Sequence, residues 1–528
     1  MNKHVETQEK KWIIRGAQLN YLHLAVNMFL GLALVPIMIR YMGQSAYGLW
    51  ASFGSVVGYF GLLELGGSTA TVKYTAEYHA TDNQEDLSKL ISSVFVIFLG
   101  VGALIVFLCA GLAWFIPKLL HVPEDLISAG RIAFLIMGLN IALGLAGRVF
   151  GNVIYGYQRV DVFRSVGIIQ AATNAILTVL FLRSGFGLVG VVTAASMSIL
   201  LSMILYVIFI RRSGYDITIH PGLADLGIIK KVAPYSLRTF TLGLTAQVLY
   251  RTDNIVIGIF LGAAMVTPYS IAYKLCFVLT YMFSVVSTTV FPRFSKLYAV
   301  GDMQGIRDLY MKVTKISVAI MVPLAIFLIF FGRYFISLWV GQSNFVGQNV
   351  FMVFIVMFFI HSLGASGILL QGIGKNKKFM YSEILNACLN LIISVVLVRK
   401  IGLIGVALGT LLAHLCTSSW IVPLLACRYI KLPVRTFLLS GVIPPLLVGV
   451  PVGVVTGVFV VNVLPNDCYI YIGMKGMVIA VMYALCYFAV GITRKERQMY
   501  WRLFSMLLWT RKTQVAPVSE GGDPKKWR

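Results

Sequence analysis

Several ionisable side chains stand inside apolar runs long enough to cross a bilayer, among them Glu64, Arg148, Arg251, Asp253, Lys274, His361 and Glu383. A charge at the centre of a membrane helix costs roughly 2.5–3.5 kcal/mol on insertion scales, so each needs a partner or a task. Arg148, Arg251 and Lys274 are of the type that draws an anion into a water-filled cavity, and an arginine fork grips two phosphate oxygens at once. Glu64 and Asp253 are the leading candidates for coupling to a proton or sodium ion, ahead of His361 and Glu383. A lone membrane histidine is more often a hydrogen-bonded packing residue. The alternative is local neutralisation, Glu64 with Arg148 and Asp253 with Lys274. Both readings can hold together, because paired charges also line pathways.

Spacing places these groups. Glu64 precedes Lys73 by nine residues and Arg148 precedes Tyr155 by seven, which sets both about 10–14 Å from one membrane face at 1.5 Å per residue. Arg251 precedes Gly262 by about three helical turns, and Lys274 follows it by about the same distance. Antiparallel helices joined at that glycine bring the two cations to one depth, about 16–18 Å from the opposite face.

The elements that must hold them are membrane helices. Of 528 residues, 58% are hydrophobic and 12% charged, about half the charge of a soluble domain. Runs of about 20 apolar residues mark spans. They fall near residues 14–38, 46–70, 90–116, 127–154, 162–182, 187–210, 234–261, 266–291, 314–331, 347–371, 379–398, 402–427, 437–463 and 469–492. The expected fold class is an all-α integral membrane protein of about 14 transmembrane helices. The first run follows Arg15 and is expected to be a span rather than a cleaved leader.

A net charge of +24 on a soluble chain would suggest nucleic acid. Here it reads as basic residues kept on the cytoplasmic side, and no nucleic-acid partner is expected. Of the 44 Lys and Arg, 34 fall on the side of the N-terminus, even-numbered loops and tail, and 10 on the other. The expectation is a multi-pass protein of the bacterial cytoplasmic (inner) membrane with both termini in the cytoplasm. The tail segment 494–512 mixes Lys and Arg with Trp501, Phe504, Leu508 and Trp509. It is either an interfacial helix on anionic headgroups or an ordinary basic tail. Six of the seven cysteines lie in apolar runs without metal spacing and read as small core residues.

Two segments repeat. Gly156-Tyr157-Gln158-Arg159, Asn174 and Gly187-Leu188-Val189-Gly190-Val191 match Gly372-Ile373-Gly374-Lys375, Asn390 and Gly402-Leu403-Ile404-Gly405-Val406. The offset from Gly156 to Gly372 is 216 (372 − 156). Asp82 and Gln84 match Asp302 and Gln304 at 220, and Gly43 matches Gly262 at 219. An ordered run of matches at a near-constant offset implies two homologous six-helix halves. Six is even, so both halves share one orientation, a parallel repeat that suits alternating access. The expected division is 1–220 and 221–432 for the two six-helix lobes, 433–492 for two additional helices, and 493–528 for the tail.

No phosphate-binding loop, HExxH, GxSxG or Cys/His cluster occurs. No D-x-D pair stands in an outer loop, and the outer loops are short. These features disfavour an enzyme, and no cofactor is expected.

Certain phrases resemble the Wzx-like oligosaccharide flippases of the multidrug/oligosaccharidyl-lipid/polysaccharide exporter superfamily. They are Arg40-Tyr41-Met42-Gly43 through Tyr47-Gly48-Leu49-Trp50, Gly156-Tyr157-Gln158-Arg159, and Asp253-Asn254-Ile255-Val256-Ile257-Gly258 with Leu261-Gly262 and Tyr269. The resemblance covers about residues 10–490. It implies a V-shaped two-lobe transporter with a central cationic cavity. The substrate it implies is a glycan on a polyprenyl diphosphate, whose pyrophosphate would meet basic residues of the type and depth of Arg148, Arg251 and Lys274. Partners would be that lipid-linked glycan, membrane lipid, and glycan polymerase and chain-length proteins. Competing readings are a drug/cation antiporter, usually of twelve spans with acidic cavities, a lipid II flippase of the same superfamily, and a membrane glycan polymerase or ligase.

Overall fold

An apolar run in lipid must satisfy its own backbone, and the α-helix does so within one segment. The computed structural model describes residues 3–215, 217–361, 365–463, 465–492 and Arg497, and all regular structure among them is helical. The basic tail segment 494–512 lies outside these residues, Arg497 excepted. The main helices are α1 (Lys3–Phe60), α2 (Gly67–Ala80), α3 (Gln84–Leu112), α4 (Ile127–Gly156), α5 (Val160–Arg183), α6 (Gly187–Arg212), α7 (Leu226–Leu261) and α8 (Ala263–Ala299). They continue as α9 (Met303–Val340), α10 (Gln348–His361), α11 (Ala365–Gly372), α12 (Asn376–Ile401), α13 (Leu403–Cys416), α14 (Ser418–Tyr429), α15 (Ile443–Val455) and α16 (Tyr469–Cys486).

Eleven stretches among the described residues are long and apolar enough to cross a membrane. One of them, Gln18–Ala80, is 63 residues long, enough for two crossings, and it turns at Gly43. α7 and α8, outside those eleven, occupy the places of the seventh and eighth expected spans.

Gly43 has φ 81 and ψ 170, and Gly262 has φ 86 and ψ 162. Only glycine adopts that region without strain. The two glycines paired by the repeat are therefore the same backbone elbow, which is what a duplicated half requires. Helix starts are capped where the chain re-enters from polar loops. Asn83 accepts from the Asp86 amide at 3.1 Å, and Asp225 accepts from the Gly227 amide at 2.5 Å.

Several expected spans are interrupted. The second is a single run in the sequence, but it ends in a tight helical turn over Gly61–Glu64. It passes through two left-handed residues, Leu65 (φ 50) and Gly66 (φ 75), and resumes as α2. Lys73 therefore lies inside a helix rather than after it. The twelfth span breaks at Thr417 (φ −128, ψ −92) between α13 and α14. The thirteenth contains wide π turns at Phe437–Val442 and Thr456–Val460. Apolar composition marks a segment as long enough to cross; it does not mark where the helix is interrupted.

The chain forms two compact units by contact. The larger holds residues 1–295 and 333–426, with α1 packed on α5 and α7, α4 on α3 and α6, and α12 on α13 and α7. The smaller holds residues 296–332 and 427–528. Its core includes Tyr310 stacked on Phe437 at 5.4 Å. Also there is Lys475, 2% exposed, whose Nζ donates to the Val461 carbonyl at 3.0 Å and to Asn466 at 2.7 Å. Of the cysteines, Cys109, Cys276 and Cys427 are buried as expected of small core residues, whereas Cys388 and Cys416 are exposed.

Candidate functional site

The elbows bring the two halves into backbone contact inside the larger unit. Thr267 donates to the Gln44 carbonyl at 2.6 Å, and the Gln44 side-chain amide donates to the Ala264 carbonyl at 3.3 Å. A Cβ on Gly48 would overlap the Ala263 carbonyl oxygen. Only the absence of a side chain lets the helices approach so closely.

Beside this contact, α1, α7 and α8 border a cavity of about 510 Å³. Its lining includes Tyr47, Trp50, Gln247, Arg251, Asn254 and Lys274. Arg251 and Lys274 thus face one space from the two arms of the Gly262 elbow. Arg251 donates to the Gly54 carbonyl at 2.9 Å, and Asn254 donates to Ser55 at 3.1 Å. The guanidinium lies over Gly58, where a Cβ would come within 2.8 Å of it. Lys274 makes no ion pair among the described residues. The chemistry of this lining is two cations, amides and an aromatic wall.

Asp253 is satisfied on another side. It is 5% exposed and accepts from Tyr269 at 2.6 Å and from Thr410 at 3.0 Å. Thr410 in turn accepts from Asn390 at 2.7 Å. The ion pair with Lys274 weighed from the sequence is not formed among the described residues; hydroxyl groups satisfy the carboxylate instead.

Arg148 does not join the cavity of Arg251 and Lys274. Its Nη1 binds Glu64 Oε2 at 2.8 Å, so the neutralisation alternative holds for that pair. Glu64 also accepts from Ser68 at 3.0 Å and borders a mainly apolar pocket of about 290 Å³ between Leu63, Phe98 and Val232. The sequence reading missed Gln247, Asn254, Thr410 and His414. The first two are signalled by polar residues four and three positions from Arg251 in an otherwise apolar run. His414 is signalled as one more ionisable group in an apolar run, whereas Thr410 carries no such local mark.

A family model described as "Polysaccharide biosynthesis protein" matches residues 37–345. The chain is 21% identical over 502 residues to the "Uncharacterized membrane protein EpsK" of Bacillus subtilis (strain 168), covering 91% of this chain and 95% of that one. It is 23% identical over 387 residues to the "Uncharacterized membrane protein MJ1068" of Methanocaldococcus jannaschii, covering 69% and 74%. Among solved structures, a multidrug resistance MATE family transporter of the MOP superfamily in an inward-facing conformation superposes with a TM-score of 0.69 at 14% identity. That match covers 78% of this chain and 98% of that one. The lipid II flippase MurJ in an inward closed conformation superposes with a TM-score of 0.69 at 16% identity, covering 90% and 99%. The fold is that of the exporter superfamily which the local phrases resemble.

Proposed function

The chain belongs to the polysaccharide biosynthesis protein family, and we propose that it is a flippase carrying polyprenyl-diphosphate-linked oligosaccharide across the cytoplasmic membrane by alternating access. The observation that carries this reading is the cavity shared by Arg251 and Lys274. Two cations on one cavity, with amide and aromatic groups beside them, suit a diphosphate bearing a sugar. Drug cations would meet repulsion there. Arg148, tied to Glu64, is placed as a secondary contact that becomes free only if that pair opens. Asp253 is the coupling carboxylate, because it is buried with no cation paired to it among the described residues and is held by hydroxyl groups that tolerate its neutral form. The six-helix lobes divide at about residue 220, both termini lie in the cytoplasm as the charge asymmetry favours, and polymerase and chain-length proteins act downstream.

The test is deletion of the gene in its host, with lipid-linked intermediates and surface glycan measured together. Lipid-linked oligosaccharide accumulating on the cytoplasmic side with loss of surface glycan supports the flippase. Accumulation of single repeat units on the outer side would replace it with a polymerase. Unchanged glycan with raised sensitivity to cationic drugs would replace it with an antiporter.

A further inference from the structure

A second polar region of the larger unit is not used by the anion cavity. α10 ends at His361, α12 carries Glu383 and Asn386, and α13 carries His414 just before the break at Thr417. These groups meet. Glu383 accepts from Ser418 at 2.7 Å, Asn386 and His414 are 3.2 Å apart at Nδ2 and Nδ1, and the two histidine rings are 5.4 Å apart. Three titratable side chains converging in an apolar bundle, beside an interrupted helix, is the arrangement that marks an ion path in membrane proteins.

Two cavities run through them. One of about 260 Å³ is lined by Gln371, Glu383, His361, His414 and Ser419, and a second of about 40 Å³ by Tyr273, His361, Glu383, Asn386, Thr410 and His414. The smaller has room for a water molecule, which needs about 10–15 Å³ of such space and two or more polar partners. Asn386 Oδ1 and Ser419 Oγ are buried with no protein hydrogen-bond partner among the described residues, so both have an acceptor site to offer water. The smaller cavity ends on Thr410, whose hydroxyl donates to Asp253.

We propose that Glu383, His361 and His414 form a proton path through these two water-holding cavities to Asp253. This rests on the coupling role given to Asp253 above and makes the coupling ion a proton. The path climbs along α12: Glu383 is seven residues from its start at Asn376 and Asn390 fourteen, about 10 and 21 Å. It opens at the membrane face where Gly372 and Asn376 lie, the side the basic loops assign to the cytoplasm. A proton from cavity water binds the Glu383 carboxylate and passes through water to Thr410. Thr410 gives its own hydroxyl proton to Asp253 and takes the incoming one, so no charge remains on the hydroxyl. His361 and His414 hold the excess proton between these stations. The titratable groups facing the route are Asp253 from α7, Tyr269 and Tyr273 from α8, His361 from α10, Glu383 from α12 and His414 from α13.

The test uses the full chain in proteoliposomes adsorbed on a solid-supported membrane, with a pH jump alone as the probe and no substrate. Wild-type protein should give a transient charge displacement as protons enter. E383Q, H414Q and D253N should each reduce it about tenfold or more, and E383D should recover part of it. A transient of full size in both E383Q and H414Q would overturn the path. If those two fail to fold, S419V, which narrows the larger cavity without removing a titratable group, is read the same way. The coupling reading fails separately: loss of the transient in D253N alongside transport with unchanged pH dependence would leave the path standing and remove Asp253 as the coupling group.

Discussion

The two halves of the repeat share a scaffold and differ in chemistry. Gly43 and Gly262 hold nearly the same backbone angles, yet the arms around them are unlike. At the common offset of 219, Arg251, Asp253 and Lys274 correspond to Leu32, Leu34 and Ser55. The second half carries these cations and the buried carboxylate; the first supplies small residues against which two second-half side chains rest, Gly54 and Gly58 for Arg251 and Ser55 for Asn254. The elbow geometry is common to both glycines, and at these three matched positions the charged residues stand on the second arm pair only. A symmetric pair of cation clusters would hold an anion equally on both sides of the contact. The asymmetric arrangement puts both cations on one cavity.

The comparison breaks most sharply at function. R251Q combined with K274Q should lower glycan translocation about tenfold or more with expression unchanged, since a hydrogen bond to a charged group contributes about 1.5–3 kcal/mol. L32Q, the same change at the first-half position matching Arg251, should leave most translocation intact. An equal loss in L32Q would show that the cavity needs only shape and not the cations. At the level of stability the halves should instead behave alike. G43A and G262A each force a side chain into a glycine-only conformation costing about 1–3 kcal/mol, and the thermal midpoints of the purified variants should fall by similar amounts. A large effect at one elbow alone would mean that the shared backbone angles hide different roles. The smallest effect is expected at Arg148 and Glu64. Arg148 is 55% exposed, so a double-mutant cycle with R148Q and E64Q should return a coupling of about 0.2–1 kcal/mol. A coupling several times larger would move this pair from a local neutralisation to a structural lock.

The two glycine elbows and the meeting of Arg251 with Lys274 on one cavity were legible because they depend on sequence distance along rigid helices. There a rise of about 1.5 Å per residue converts directly into position. The partners of Asp253 were not. Thr410 lies 157 residues away, and only the packing of α13 beside α7 brings it within 3.0 Å. The interruption at Thr417 was equally silent, since Thr is ordinary in a membrane run, whereas the one at Leu65 is marked by the Gly66-Gly67 pair that follows it. His361 and Glu383 stood out singly as charges in lipid, but their meeting with His414 is a property of three helices at once.

The Gly48–Ala263 approach also bears on how such a protein can change over time. A joint made where main chain lies on main chain makes few demands on neighbouring side chains. Substitutions elsewhere in either copy can accumulate without loosening it, provided one position stays glycine. Two halves that have drifted until only scattered residues agree can thus remain mechanically matched. This gives a physical reason why a lineage built on this joint could take up new cargo while its frame stayed recognisable.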